Sequence, residues 1–320
     1  MNKRSIITAS IIALAAPIAA SGETSIEGAV TLGYSFGSIS SGGTDVDVNA
    51  LSLRMDSTVT FSENFEMGLK IGAHSYDIDG VNIDLTLGDF ALAPRYTLDN
   101  GLILGAYYEM AKSSIDNAPV NPDFSSYGLS LGKDFDTWDI EGFIGVSDSN
   151  LFSFIGTDVD IMDVGVRSTY NGIENLTLGG HFIYTEADIA AAGNSISLYS
   201  LGLGADYLIN DNWSVYGGLS RTWADESWAP IDASATRGSL GLAYTFGSTG
   251  PVMPMVASLE LVTTDLSLDQ PGTLSADYDE VRLGLTIPLG HKGRSLPLNS
   301  TTHTNINGGH SAVSTLLGTY

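Results

Sequence analysis

From residue 24 onward the chain repeats with a period of two, and this constrains the fold more than any other feature. Ile26, Val30, Leu32, Tyr34 and Phe36 share one parity, with Glu27, Ala29, Thr31, Gly33 and Ser35 on the other. Leu51, Leu53, Met55, Val59 and Phe61 alternate with Ser52, Arg54, Asp56, Thr58 and Thr60. The pattern returns near the end, where Val281, Leu283, Leu285, Ile287 and Leu289 alternate with Arg282, Gly284 and Thr286. Successive side chains of a strand point to opposite faces, so each segment reads as a strand with one apolar and one polar face.

The segments recur at a spacing that fits tilted membrane-crossing strands of about ten residues. They fall near 25–38, 50–62, 66–78, 84–97, 102–113, 125–135, 138–148, 158–170, 175–187, 196–208, 213–224, 236–246, 254–264 and 277–289. About 14 strands are expected, an even number. The parity of 84–97 shifts between Leu87 and Phe90, which predicts a β-bulge near Gly88. Tight connections carry turn residues at Glu63-Asn64, Asp99-Asn100-Gly101, Asp136-Thr137, Asn171-Gly172 and Asn210-Asp211-Asn212. Longer ones are expected at 39–49, 114–124, 149–157, 225–235 and 265–276. Such short-long alternation predicts an all-β, up-and-down antiparallel transmembrane barrel with short inner turns and longer external loops. Trp138 and Trp213 open strands beside tight turns, and Tyr96, Phe135, Tyr170, Tyr207, Tyr244 and Phe246 close them, as in an interfacial aromatic girdle.

Composition narrows the class. Charged residues make up 16% of the chain, against about 25% in ordinary soluble proteins. The net charge of -24 argues against nucleic acid as a partner. There is no cysteine, so disulfides and thiolate metal sites are excluded. Lys3 and Arg4, the apolar run from Ile6 to Ala16, and the small residues Ala19, Ala20, Ser21 and Gly22 have the order of an export signal. The expected divisions are a signal peptide over 1–21, a transmembrane barrel over 22–290 and a polar, flexible, periplasmic tail over 291–320. His291, His303 and His310 lie in that tail, with spacing too loose to assign a metal site. His74 and His181 lie on strands without a nucleophile motif, so no catalytic residue and no cofactor is assigned.

The run from Ala205 to Gly218, with Asn210-Asp211-Asn212 at its turn and Trp213 after it, resembles the strand–turn–strand unit of outer-membrane barrels. Arg282, Gly284, Ile287 and Leu289 resemble the last-strand signal read by the barrel-assembly machinery, except that Leu289 replaces the usual terminal aromatic residue. From about residue 23 to 290 the chain resembles the Gram-negative porin superfamily. The loop at 114–124, with Pro119 and Pro122, is shorter than the constriction loop of trimeric general porins, which favours a smaller barrel and leaves the oligomeric state open. The resemblance implies location in the cell outer membrane, lipid contact, and passive diffusion of small polar solutes.

With apolar positions toward lipid, Arg54, Asp56, Lys70, Arg95, Glu109, Glu141, Arg167, Asp206, Arg237, Glu260 and Arg282 are expected to line the pore. With Glu66, Asp139 and Asp163 on the same inward parity, acids outnumber bases, which predicts a mild cation preference. Gly128, Ser130, Gly132, Gly202 and Gly204 are expected to leave space for water, whereas Tyr107, Phe143 and Tyr216 would narrow the lumen. The alternative is a structural or adhesive barrel with a narrow or closed lumen.

Overall fold

The computed structural model describes residues 24–80, 84–115, 121–150, 159–189, 194–226, 232–247, 254–269, 274–290 and 295–318. The expected signal peptide lies outside them. Fourteen strands form one closed antiparallel barrel. They are β1 (Ser25–Ser41), β2 (Thr44–Thr60), β3 (Phe65–Ile78), β4 (Asp84–Thr97), β5 (Leu102–Ile115), β6 (Asp123–Asp134) and β7 (Trp138–Ser149). The second half comprises β8 (Val159–Ile173), β9 (Leu176–Ile189), β10 (Asn194–Leu208), β11 (Trp213–Glu226), β12 (Asp232–Phe246), β13 (Met255–Asp269) and β14 (Leu274–Leu289). Each strand pairs with its sequence neighbours, and β1 pairs with β14 from Gly28↔Leu289 to Ser40↔Asp277. Closure removes the two free edges that an open sheet would present to lipid.

The alternation places its apolar parity outside. Leu203, Leu219, Leu240 and Leu261 are each more than half exposed, with Leu240 at 61%. This is an apolar belt that requires lipid. No helix among the described residues is long and apolar enough to cross a membrane, so the crossing is made by strands. Aromatic pairs sit by the short turns, with Trp138 against Tyr170 at 4.6 Å, Trp213 against Tyr244 at 4.8 Å, and Tyr244 against Phe246 at 4.7 Å between ring centroids. They form the expected girdle. Asp136 and Asn175 hold positive φ in these turns, a conformation their short polar side chains tolerate.

Several local expectations fail. The long connection at 39–49 is instead a hairpin: β1 and β2 extend to a turn at Gly42 and Gly43, with φ of 59° and 83°. Two successive positive φ angles are the requirement of the tightest hairpin turn. Most of the 265–276 connection is likewise strand, since β13 continues to Asp269 and β14 begins at Leu274. Only part of 114–124 lies among the described residues.

No bulge occurs at Gly88. β4 pairs with β3 in unbroken register from Phe65↔Tyr96 to Asp77↔Asp84. Leu85 and Leu87 therefore lie opposite Tyr76 and His74, on the interior face. The parity break in the sequence records an apolar interior at the loop end of the barrel.

A charge on the lipid face at mid-depth costs about 2–4 kcal/mol. Leu240→Arg is expected to lower the unfolding free energy by that amount in urea titrations from lipid vesicles, with Ser239→Arg, on the opposite parity, as the milder control.

Candidate functional site

The eleven charged residues expected to line the lumen take the inward parity, where they meet one another, other polar groups of the wall and the C-terminal segment. Arg95 donates to Glu141 at 3.1 Å, and Arg167 approaches the same carboxylate at 3.4 Å. Arg282 lies 2.8 Å from Glu280 and 3.8 Å from Glu260. Lys70 stands 3.9 Å from Asp56, and Arg54 stands 4.0 Å from Asp89. Arg237 donates to Thr264 Oγ1 at 3.0 Å, and Asp206 is buried in the wall. Cross-strand register produces these pairs: Glu260 faces Arg282, Glu141 faces Arg167, and Asp56 faces Lys70.

The largest departure from expectation is the tail. It was expected as a flexible periplasmic extension, whereas residues 295–318 lie inside the barrel. β14 ends at the short-turn rim, and the chain is next described at Ser295, within the lumen. Leu296 packs against the cluster of Tyr216, Ala243 and Val256. The Leu298 amide donates to Thr31 Oγ1 at 3.1 Å, and Thr31 bonds Thr286 across the β1–β14 seam at 2.7 Å. Two short helices follow, α1 (Thr301–Asn307) and α2 (Ala312–Gly318). Ser300 caps α1 by accepting from the His303 amide at 3.1 Å.

The segment is tied to walls all around the lumen. The Thr301 amide donates to both oxygens of Glu260, at 3.1 and 3.3 Å. Asn305 donates to the Leu203 carbonyl at 2.8 Å and the Leu219 carbonyl at 3.2 Å. His303 meets Asp56 at 3.3 Å, and Lys70 donates to the Asn307 carbonyl. His181 bonds the Asn305 carbonyl through Nδ1 at 2.9 Å. The Ala312 amide donates to Thr185 Oγ1 at 3.0 Å, and that hydroxyl donates to Asp163 at 2.5 Å. Thr301, Thr302, Asn305 and Ser311 have no exposed surface.

His310 sits in the most elaborate of these contacts. Its amide donates to Glu109 at 3.1 Å, and its Nδ1 lies 2.6 Å from Glu109 Oε1. The ring stacks on Tyr107 with centroids 3.9 Å apart, and Phe143 meets it edge-on at 4.8 Å. Two of the three bulky inward residues expected to narrow the lumen, Tyr107 and Phe143, therefore form a slot for this imidazole, while Tyr216 packs in the cluster that receives Leu296.

Two of the glycines expected to leave space for water, Gly202 and Gly204, instead receive the segment, as does Gly218. A Cβ on Gly204 would stand 3.0 Å from Ile306 and 3.0 Å from the Thr302 carbonyl. One on Gly202 would stand 2.8 Å from Asn305, and one on Gly218 would stand 2.8 Å from the same side chain. No group of three or more His, Cys, Asp or Glu residues among the described residues could hold a metal ion.

Solved structures of outer-membrane barrels resemble this one. An FadL homologue of Pseudomonas aeruginosa aligns with a TM-score of 0.52 and 13% identity, covering 83% of this chain and 90% of its own. Outer-membrane expressed OmpT of Vibrio cholerae aligns at 0.50 with 12% identity, covering 85% and 100%. The fold is that of a porin-like outer-membrane β-barrel. The outward apolar belt fits a wall that faces lipid. No protein-family model matches the chain, and no curated protein matches its sequence. At these identities the likeness concerns fold alone, and the filled lumen is described from this chain's own contacts.

Burial holds the His310 imidazole down to about 4, reinforced by Arg167 and opposed by Glu109 and Glu141. Burial also lowers His303, against the raising effect of Asp56, with Lys70 and Arg54 nearby. Both groups favour the neutral form when docked. Docking is therefore full above the ordinary imidazole value of 6.5 and weakens as pH falls through it toward 4. The chain lacks cysteine, so a spin label on Val313→Cys is unique. Its spectrum is expected to sharpen on acidification between pH 6.5 and 4, and Glu260→Gln is expected to sharpen it already at neutral pH.

Proposed function

We propose that the protein is an outer-membrane channel for small polar solutes and ions whose resting lumen is closed by its own C-terminal segment. The observation that carries this reading is the pattern of attachments. The segment, described again inside the lumen beyond the short-turn end of β14, is held by hydrogen bonds and polar contacts to β1, β2, β3, β5, β9, β10, β11, β13 and β14. These bonds are polar and distributed, and they stand beside small apolar contacts of Leu296 and Ala312 with the wall. A barrel of 14 strands is too wide for wall side chains alone to fill, so undocking the segment leaves a water-filled passage. Such a lumen would be lined by Arg54, Asp56, Lys70, Arg95, Glu109, Glu141, Arg167, Asp206, Arg237, Glu260 and Arg282.

Undocking also changes the charge of the passage. Glu109 loses His310, Asp56 loses His303, and Glu260 loses the Thr301 amide. Their carboxylates then face water alongside Asp163, Asp206 and Glu280. The resulting acidic excess favours cations. In this reading solutes pass by diffusion through the open lumen.

Planar-bilayer recording tests this reading. The full-length protein is expected to show rare, brief openings. A chain ending at Gly290, and the full-length Gly204→Leu variant, are expected to conduct steadily with a cation-selective reversal potential in a KCl gradient. Gly204→Leu drives a side chain into the space of Ile306 and leaves the outward face untouched. A folded, heat-modifiable truncated barrel that carries no current would instead assign the protein a structural role with a closed lumen.

A further inference from the structure

The lumen is not polar throughout. On the loop side of the C-terminal segment a cavity of about 390 Å³ opens inside the barrel. Its wall is formed by Tyr76, Leu85, Leu87, Ala111, Phe124 and Tyr278. Phe124 is only 3% exposed and Tyr278 only 7%. A pore for polar solutes has no use for inward leucines, and a lumen filled with side chains would not leave this volume empty. The size falls at the lower end of the range of about 300–1,000 Å³ occupied by small-molecule sites.

One polar group in this wall lacks a counterpart. The Tyr76 hydroxyl is buried and has no hydrogen-bond partner among the described residues. Its ring is held by parallel stacking on His74, with centroids 6.3 Å apart, and the unbroken β3–β4 register sets it opposite Leu85. A buried unpaired hydroxyl is costly, and a ligand carrying a donor or acceptor would satisfy it. At the chamber margin stands Glu280, already committed to Arg282 at 2.8 Å. An anionic ligand there would have to compete with Glu280 for Arg282, which selects for an uncharged one.

We propose that this chamber is a binding site for a small, uncharged amphiphile: an aliphatic or aromatic body seated on Leu85, Leu87 and Phe124, with a hydroxyl or carbonyl bonded to Tyr76. The site lies in the outer half of the lumen, above the segment that closes it. It therefore requires the folded barrel and does not depend on ion flow.

The test is photolabelling of the refolded full-length protein in lipid nanodiscs with a diazirine derivative of 1-decanol, mapped by peptide mass spectrometry. Label is expected on interior residues of β3, β4 and β6, and unlabelled 1-decanol is expected to compete it away. Leu87→Asn, and Ala111→Trp, which fills the cavity, are each expected to cut this labelling at least about fivefold. Tyr76→Phe is expected to raise the competing 1-decanol concentration roughly 2- to 10-fold, the loss of one neutral hydrogen bond. Heat-modifiable gel migration shows whether each variant is folded. Label confined to lipid-facing positions such as Leu240 and Leu261 would overturn the site, as would interior label insensitive to both Leu87→Asn and Ala111→Trp. Equal competition by decanoate would overturn its preference for an uncharged ligand.

Discussion

The closing of β1 on β14 is the constraint from which the rest follows. In hydrocarbon an unpaired backbone amide or carbonyl costs several kcal/mol, so the sheet must have no free edge. The run of pairs from Gly28↔Leu289 to Ser40↔Asp277 meets that demand. A closed wall has one face in lipid and one in the lumen, so every strand must alternate. Alternation in turn drives the charges of the mid-strand region inward, where register decides which of them meet. Glu141 with Arg167, and Glu260 with Arg282, are outcomes of pairing order rather than of separately arranged sites.

An interior lined with polar groups creates a second problem, and the C-terminal segment answers it. Buried carboxylates and backbone carbonyls need partners. Residues 295–318 supply them from Ser, Thr, Asn and His, which are short, polar and able to donate or accept as required. Thr301 and His310 each present an amide to a carboxylate, and Asn305 bridges two strand carbonyls. The wall makes room through glycine at 204, 202 and 218. Polar filling differs in kind from an apolar core: every bond it makes could be exchanged for one to water at small net cost. This is what makes the segment suited to closing a lumen reversibly and poorly suited to sealing it for good.

The interior is also graded along the barrel axis. Its middle is charged and filled, while its loop end is apolar and open. Leu85 and Leu87 belong to the same strand as Arg95 and the same inward parity, so one strand carries both characters. The gradient explains why 84–97 reads irregularly as a sequence. An amphipathic strand was sought in a strand whose interior end is itself apolar.

Fold class, strand number, outward parity and the girdle at Trp138, Trp213 and Tyr244 were legible in the sequence. They depend on local periodicity and on turn chemistry, and both are written residue by residue. The inward placement of Arg54, Glu109, Glu260 and Arg282 was legible for the same reason. The destination of the tail was not. Ser300, Asn305 and His310 find their partners at Pro297, Leu203 and Glu109, and two of those three contacts span more than one hundred residues. No period or motif announces such contacts, and a Ser/Thr/Asn-rich segment has the same composition whether it is bathed in water or buried among polar walls. The only local hint was the paired presence of inward glycines and of histidines concentrated at the chain's end, and it acquires meaning once the barrel has closed. Alternation by itself determined that this protein is a barrel with its charges inside. Whether the space it encloses is open, filled or apolar was decided by tertiary structure, because that depends on which distant residues the closed wall brings within reach.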